Sequence, residues 1–231
     1  MIQMRTITAI FWKQLKDSVK NIPVLVLFVV YPIIAIIMGS AIAGEMGEAE
    51  LFISLFGTMH AVFTPIVTTA SILSEEKEKN TLRVLIFANV NPVEYMLSIG
   101  SFVLLCTFCT SALFFVGGQF TMAMAARFLL AQFIGSMVSV LLGLTLGAYA
   151  KNMAGANGLA VPAGMVFAFL PMLSAFNETI GSVSRFTYGQ QISNIMMGTA
   201  KTGDAITVIA INFLLFLVAF YLIYRRNRLD L

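Results

Sequence analysis

Six uninterrupted apolar runs dominate the chain, and each is long enough to cross a membrane as a helix. A helix needs about 20 apolar residues to span the hydrocarbon core. Because lipid offers no partner to an open backbone N–H or C=O, each run is expected to be a helix that satisfies its own hydrogen bonds. The runs contain no Asp, Glu, Lys or Arg and cover residues 22–44, 51–74, 95–126, 128–150, 152–177 and 205–224.

Composition supports this pattern. The chain has 231 residues, of which 59% are hydrophobic and 11% are charged. A soluble domain carries about 25% charged residues, so this chain has too little polar surface to cover itself in water. We therefore expect one all-α membrane domain over residues 1–231, with six transmembrane helices.

The basic residues indicate an orientation. With both termini in the cytoplasm, eleven Lys and Arg residues fall inside and three, Arg127, Arg185 and Lys201, fall outside. This asymmetry fits the positive-inside rule for a protein with an even number of spans. The net charge of +3 follows from this sorting, so it gives no reason to expect a nucleic-acid partner.

The segment before the first run, residues 3–20, has a helical pattern of its own. Ile7, Phe11, Leu15 and Val19 recur every four positions, with polar residues on the other faces. A helix with one apolar stripe and a basic polar face is typical of the membrane surface. The pattern predicts an amphipathic interfacial helix on the cytoplasmic leaflet.

Two further segments lie between runs on the expected outer side. Residues 45–50 predict a short acidic loop. Residues 177–204 are too polar for a seventh span and too apolar for a free loop. We expect short helices there, folded back onto the outer surface and partly re-entrant.

The densest charge cluster, residues 75–94, lies between the second and third runs. Three carboxylates are followed by a short helical pattern rich in large apolar residues, and Asn91-Pro92 then forms a helix start signal. A helix bound in a groove of another protein explains these apolar residues, and a helix on lipid headgroups is the alternative. The candidate contact residues are Glu75, Glu76, Glu78, Thr81, Leu82, Arg83, Leu85 and Phe87.

The stretch EKEKNTLRVLIFANVNP resembles the first cytoplasmic loop of ATP-binding-cassette (ABC) export permeases of type 2. That loop runs Glu-basic-Glu-x-Gly-Thr-Leu-Glu-x-Leu, with a proline further on. Asn80 here replaces the usual Gly, and Arg83 replaces the usual Glu. The surface helix, the six spans and the long outer loop also resemble this family, in particular small bacterial exporters of peptide toxins and antimicrobials. The matching residues are Glu76, Lys77, Glu78, Thr81, Leu82, Leu85 and Pro92.

This resemblance implies a transport subunit of the bacterial plasma membrane that is not an enzyme by itself. A separate cassette ATPase would bind ATP and Mg, and two permeases, identical or paralogous, would pair with two ATPases. Residues 75–94 would form the coupling hairpin on the ATPase. The permease dimer would meet through the first and fifth spans, with membrane lipid around them.

An apolar pathway through the bundle is a further expectation, because Met and Phe adapt to varied apolar ligands. His60 is the single histidine of the chain. We expect it to form a hydrogen bond with Thr64 or with a neighbouring helix, and a proton-coupling role is the alternative. The candidate pathway residues are Met59, His60, Phe63, Met165, Phe167 and Phe169.

Other patterns inside the spans favour packing over chemistry. Ser139, Gly143 and Gly147 recur every four positions, which suits close helix packing within one chain or between two chains. Cys106 and Cys109 lie inside a span without a second pair, so they are expected to pack rather than to bind metal. We expect no metal site, no catalytic residue and no cofactor on this chain.

Amphipathic, membrane-active peptides are the expected cargo, because they partition to the membrane surface and could enter sideways between helices. Their export would give resistance to toxins or antimicrobial peptides. Hydrophobic drugs or lipids are the alternative cargo, and a non-pumping immunity or channel subunit is the alternative role. An intramembrane protease is disfavoured, because Glu75-Glu76 has only one His in the chain to complete a catalytic set.

Overall fold

A computed structural model describes residues 4–41, 46–88, 90–116 and 120–229. Within these ranges every regular element is helical. The helices are α1 (Met4–Lys20), α2 (Ile22–Ala41), α3 (Met46–Glu78), α4 (Thr81–Phe87), α5 (Pro92–Ser111), α6 (Met122–Tyr149), α7 (Met153–Ser174), α8 (Glu178–Ser184), α9 (Tyr188–Met197) and α10 (Thr202–Leu229).

Six of the described helices are long and apolar enough to span a membrane: α2, α3, α5, α6, α7 and α10. This number confirms the six runs of the sequence and indicates a multi-pass membrane protein. The described parts of α3 and α6 form the centre of the bundle, with α3 packed against α2, α5, α6, α7 and α9. The core has two clusters, one along the middle of α3 and α6 and one where α5 meets α2 and the end of α3.

The segment between the first two spans differs from the prediction. The expected acidic loop 45–50 is helical from Met46 onward, so α3 begins before its apolar segment. Ala and Glu are good helix formers, so residues 46–50 extend the helix ahead of its apolar segment. The helix therefore has a polar first turn in front of its span.

The third run is not one continuous helix. α5 ends at Ser111, and a 3-10 turn, Ala112–Val116, follows. Thr107 and Ser111 bond back to the carbonyls of Val103 and Phe108. Such bonds compete with the regular helical ladder, and 3-10 turns are common where a helix ends. Residues 117–119, which follow this turn, lie outside the described residues.

α1 is helical as expected, and its inner face includes only part of the predicted apolar stripe. Phe11 and Leu15 pack partly buried against the core, whereas Val19 is exposed. Ile10 and Gln14 are also buried, and Gln14 meets a carboxylate of α3. The inner face of α1 therefore combines apolar packing, mainly on α5, with a polar contact to α3.

The segment 177–204 folds into the two short helices α8 and α9. Asn177 caps α8 by accepting hydrogen bonds from the Thr179 and Ile180 N–H groups. α9 packs against α3, α6, α7 and α10, and Tyr188 at its start is fully buried. Short helices were predicted here, and they cover one end of the bundle.

Candidate functional site

The last turn of α3 and the short helix α4 lie at the end of the bundle where α6 finishes and α7 begins. Between α3 and α4 the chain turns at Asn80, which has φ 56°. Glycine and asparagine tolerate this left-handed conformation best, so Asn80 suits a position where the resembled loop has glycine. The Thr81 hydroxyl donates to the Glu76 carbonyl at 3.1 Å and closes the turn.

Glu76 is the centre of this region. Its side chain is buried, and its Oε1 accepts hydrogen bonds from Lys13 Nζ and Gln14 Nε2, both at 2.6 Å. Its Oε2 is also buried and has no hydrogen-bond partner among the described residues. A buried carboxylate requires a counter-charge and hydrogen bonds, so Lys13 and Gln14 attach α1 firmly to the end of α3.

Lys77 joins α3 to the end of α6. Its Nζ donates to the carbonyls of Ala148 and Ala150, both at 2.5 Å, and to that of Gly147 at 3.2 Å. The last carbonyls of a helix lack partners within the helix and carry its negative dipole end. Lys77 therefore both satisfies these carbonyls and neutralises the dipole of α6.

Glu78 joins α3 to the start of α7, where it accepts a hydrogen bond instead of donating one. Its Oε2 accepts a hydrogen bond from the Met153 N–H at 3.2 Å, beside the Asn152 cap of the same helix. A carboxylate at a helix N-terminus is stabilising. Adjacent residues of α3 therefore bind α1, α6 and α7, so a displacement of this turn would act on all three helices.

Glu75 and Lys79 form an exposed ion pair one helical turn apart. The hydrogen bond and charge of Glu75 raise the pKa of Lys79 above its ordinary value, so Lys79 remains charged at neutral pH. Exposed pairs of this kind contribute little to folding. This pair leaves charge on the surface rather than linking helices.

α4 has an inner and an outer face. Leu82 and Leu85 are half-buried against the core cluster at the end of α3, whereas Val84 and Phe87 are exposed. Phe87, at 84% exposure, is the more exposed of these two side chains. The side chain of Arg83 lies outside what the structure describes. Of the predicted contact residues, Phe87 is therefore open to a partner, and Leu82 and Leu85 are occupied by packing.

After α4, Asn91 begins α5 as predicted. Its side chain accepts from the Val93 N–H, and Glu94 returns a bond to the Asn91 N–H at 3.1 Å. This reciprocal cap fixes where the charged hairpin ends and the next span starts.

His60 lies in the middle of the bundle and is fully buried. Its Nε2 is 3.0 Å from the Phe28 carbonyl of α2 and 3.1 Å from the Thr110 hydroxyl of α5, and its Nδ1 is 3.3 Å from Gln132 Oε1 of α6. Of the two expected partners, a neighbouring helix is the one observed. Thr64 instead donates to the Leu27 carbonyl. One imidazole thus joins four spans.

Four of the other predicted pathway residues belong to one core cluster. Met59 and Phe63 are buried members of it, and Phe167 and Phe169 pack against it, partly buried. Met165 is exposed on α7. In this conformation the four clustered side chains fill contacts between α3 and α7 and their neighbours.

The small-residue face of α6 packs within the chain, against α3. The Ser139 hydroxyl donates to the Ala61 carbonyl at 3.0 Å. A Cβ at Gly143 would lie 2.6 Å from the Ile66 carbonyl oxygen, and one at Gly147 would lie 2.9 Å from that of Ala70. Both distances are too short, so glycine is needed where the two backbones meet.

No protein-family model matches this chain, and no curated protein matches it. Among the described residues, no group of three or more His, Cys, Asp and Glu side chains is placed to hold a metal ion. Lys13, Gln14, Thr110 and Gln132 take part in the polar contacts above but were not identified from sequence. Their partners are 50 to 72 residues away, so no local spacing marks them.

Proposed function

We propose that this chain is the membrane-spanning permease subunit of an ATP-driven exporter of the bacterial plasma membrane, and that its ATPase is a separate subunit. The observation that carries the proposal is the construction of the turn from α3 to α4. An exposed Phe87 stands on a short helix whose base is hydrogen-bonded to α1, α6 and α7. A contact that transmits force needs such a base.

In this proposal α4 is the coupling helix. Phe87 and Val84 insert in a groove of the ATPase, which binds ATP and Mg, while Leu82 and Leu85 hold α4 to the permease. Nucleotide-driven movement of the ATPase displaces α4, and Glu76, Lys77 and Glu78 transfer that displacement to three other helices. Two permease copies or paralogues and two ATPases complete the assembly.

The proposal includes an orientation in the membrane. The turn from α3 to α4 is cytoplasmic, and α1 lies on the cytoplasmic leaflet, with both termini on that side. Trp12 is exposed on α1, as suits a residue at headgroup level. α8 and α9 cover the outer end and enter the headgroup region.

Co-purification tests the assembly. The chain, extracted in detergent from its native membrane, should bring down a subunit with ATP-binding motifs, identified by peptide sequencing. Phe87→Asp should reduce the ATPase recovered at least ten-fold, because a carboxylate would be placed in an apolar groove. Phe176→Asp is the matched control, since Phe176 is equally exposed at the opposite end of the bundle. Recovery of no ATPase by the unaltered chain would contradict the proposal.

Amphipathic membrane-active peptides are the proposed cargo. The described buried polar side chains within the apolar parts of the spans are hydroxyls, amides and His60, without a charged group to select an ion. Hydrophobic drugs or lipids are the alternative, as is a subunit that protects without pumping. ATP turnover in proteoliposomes should rise with an amphipathic helical peptide. A rise in ATP turnover with drugs or lipids only would mean that these are the cargo. Protection of the cell without ATP would favour the immunity role.

A further inference from the structure

An apolar groove runs along the outside of the bundle between α6, α9 and α10. Its volume is about 770 Å³, and its walls are mostly Leu, Ile, Met, Val and Ala side chains. Arg127 is the one charged residue among the described residues that line it. In a membrane such a groove is filled. Its occupant must have a long apolar part that matches the walls and an anionic group that pairs with Arg127.

Arg127 is held at one end of this groove by the fold. It lies in the second turn of α6, and its guanidinium rests against Gly198, where any Cβ would overlap it. Gly198 ends α9 with φ 73°, a conformation that also favours glycine. Among the described residues, Arg127 forms neither an ion pair nor a hydrogen bond with a carboxylate. Its charge is therefore left for a ligand.

The depth of Arg127 follows from α6 itself. Lys77 binds the other end of α6 at Gly147, twenty residues from Arg127, which corresponds to about 30 Å at 1.5 Å per residue. This equals the thickness of the hydrocarbon core. With Lys77 at one headgroup level, Arg127 lies at the other.

The groove is one leaflet deep. On α6 its lining extends from Arg127 to Val138, about 16 Å of helix, and on α10 from Thr202 to Leu214, about 18 Å. Half of the hydrocarbon core measures about 15 Å. An acyl chain lying in the groove would reach the bilayer midplane with its phosphate beside Arg127.

We propose that this groove binds one anionic phospholipid of the leaflet on the α8 and α9 side. The phosphate pairs with the Arg127 guanidinium, and one acyl chain lies between α6 and α10 against α9. A guanidinium binds phosphate through a planar fork, which fixes the headgroup as well as attracting it. The site is independent of any ATPase, so it stands or fails separately from the exporter proposal.

Native mass spectrometry of the full chain in mild detergent tests the proposal, with phosphatidylglycerol and phosphatidylcholine as probes. The chain should retain one phosphatidylglycerol with about five-fold preference over phosphatidylcholine, the effect of one basic residue at a charged headgroup. Arg127→Gln should remove that preference. Arg185→Gln, which changes the same charge at an exposed residue that does not line the groove, should keep it.

A second variant tests the acyl-chain half of the site. Ala210→Phe fills the groove from an exposed position on α10, so it should reduce retention of both lipids, whereas Val218→Phe, also exposed on α10, should not. Helical circular dichroism shows that each variant is folded. Equal lipid retention by Arg127→Gln, or no loss with Ala210→Phe, would overturn the proposal. So would a dimer of the chain that Ala210→Phe dissociates, because a second copy would then fill the groove.

Discussion

α3 and α10 each contain a membrane-length apolar segment. In an 18-residue stretch of each segment, 72% of the α3 residues are buried but only 11% of the α10 residues. α3 packs against six other helices, while α10 packs on α6 and α9. The two helices therefore have different surroundings. α3 meets protein, which can offer partners to polar groups, whereas most of α10 lies at the surface of the bundle, where lipid would offer none.

This difference explains what each helix carries. α3 bears His60 and Thr64 in its middle and Glu76 at its end, each bonded to another helix. The described outer face of α10 consists of residues such as Ile206, Leu214 and Leu215, which need no partner. α10 also has a polar residue within its span, Asn212, whose amide donates to the Phe186 and Val208 carbonyls at 3.1 and 2.8 Å. The polar side chains of both spans are therefore bonded to protein, and the segment of α3 has the lower mean hydropathy, 1.6 against 2.7.

The largest expected effect is at the contact of α6 with α3. Gly143→Ala would place a Cβ 2.6 Å from the Ile66 carbonyl oxygen, so the backbones must separate. We expect a loss of about 3 kcal/mol in folding stability, the upper range for overpacking. Thermal unfolding in detergent measures it, as a decrease of roughly 10 °C for a chain of this size.

Gly158→Ala is the control for this substitution. Gly158 is on α7 and meets nothing within 4 Å, so alanine there should leave stability unchanged or raise it by about 0.5 kcal/mol through helix propensity. Equal unfolding temperatures for the two variants would show that α3 and α6 are not packed this closely.

A smaller effect is expected at the charged end of α3. Glu76→Ala removes the carboxylate that holds Lys13 and Gln14, and Gln14 is left buried without that partner. Because Lys13 can turn to water, the expected loss is about 2 kcal/mol. Glu75→Ala, which breaks only the exposed pair with Lys79, should leave thermal unfolding unchanged. A loss as large with Glu75→Ala as with Glu76→Ala would remove the distinction between the two carboxylates.

The same contrast shows what the sequence could predict. The six spans were predictable because each is set by its own length and composition, and the caps at Asn91 and Asn177 depend on residues within three positions. The burial of Gln14 on α1 was not predictable, since its partner Glu76 is more than 60 residues away. Local patterns identify elements, and tertiary contacts decide their orientation.

The candidate contact residues divide in the same way. Thr81, Leu82, Leu85 and Phe87 share one short amphipathic pattern in the sequence. The structure separates them, because Leu82 and Leu85 pack against the protein while Phe87 is exposed. The helical periodicity of α4 could not show which of its apolar residues the protein itself covers, since seven residues form only two helical turns.

The smallest expected effect concerns the lipid-facing side of α10. Leu215 is 58% exposed there, so Leu215→Ala exchanges one contact with lipid for another and should change stability by less than about 0.5 kcal/mol. Its neighbour Phe216 is buried against Phe167 and Tyr188, so Phe216→Ala should cost about 1 to 2 kcal/mol through lost packing. Thermal unfolding of the two variants in the same detergent checks this difference between adjacent residues. A clear loss with Leu215→Ala would mean that α10 is covered by protein in the membrane, because removing a side chain that faces only lipid leaves no cavity in the fold.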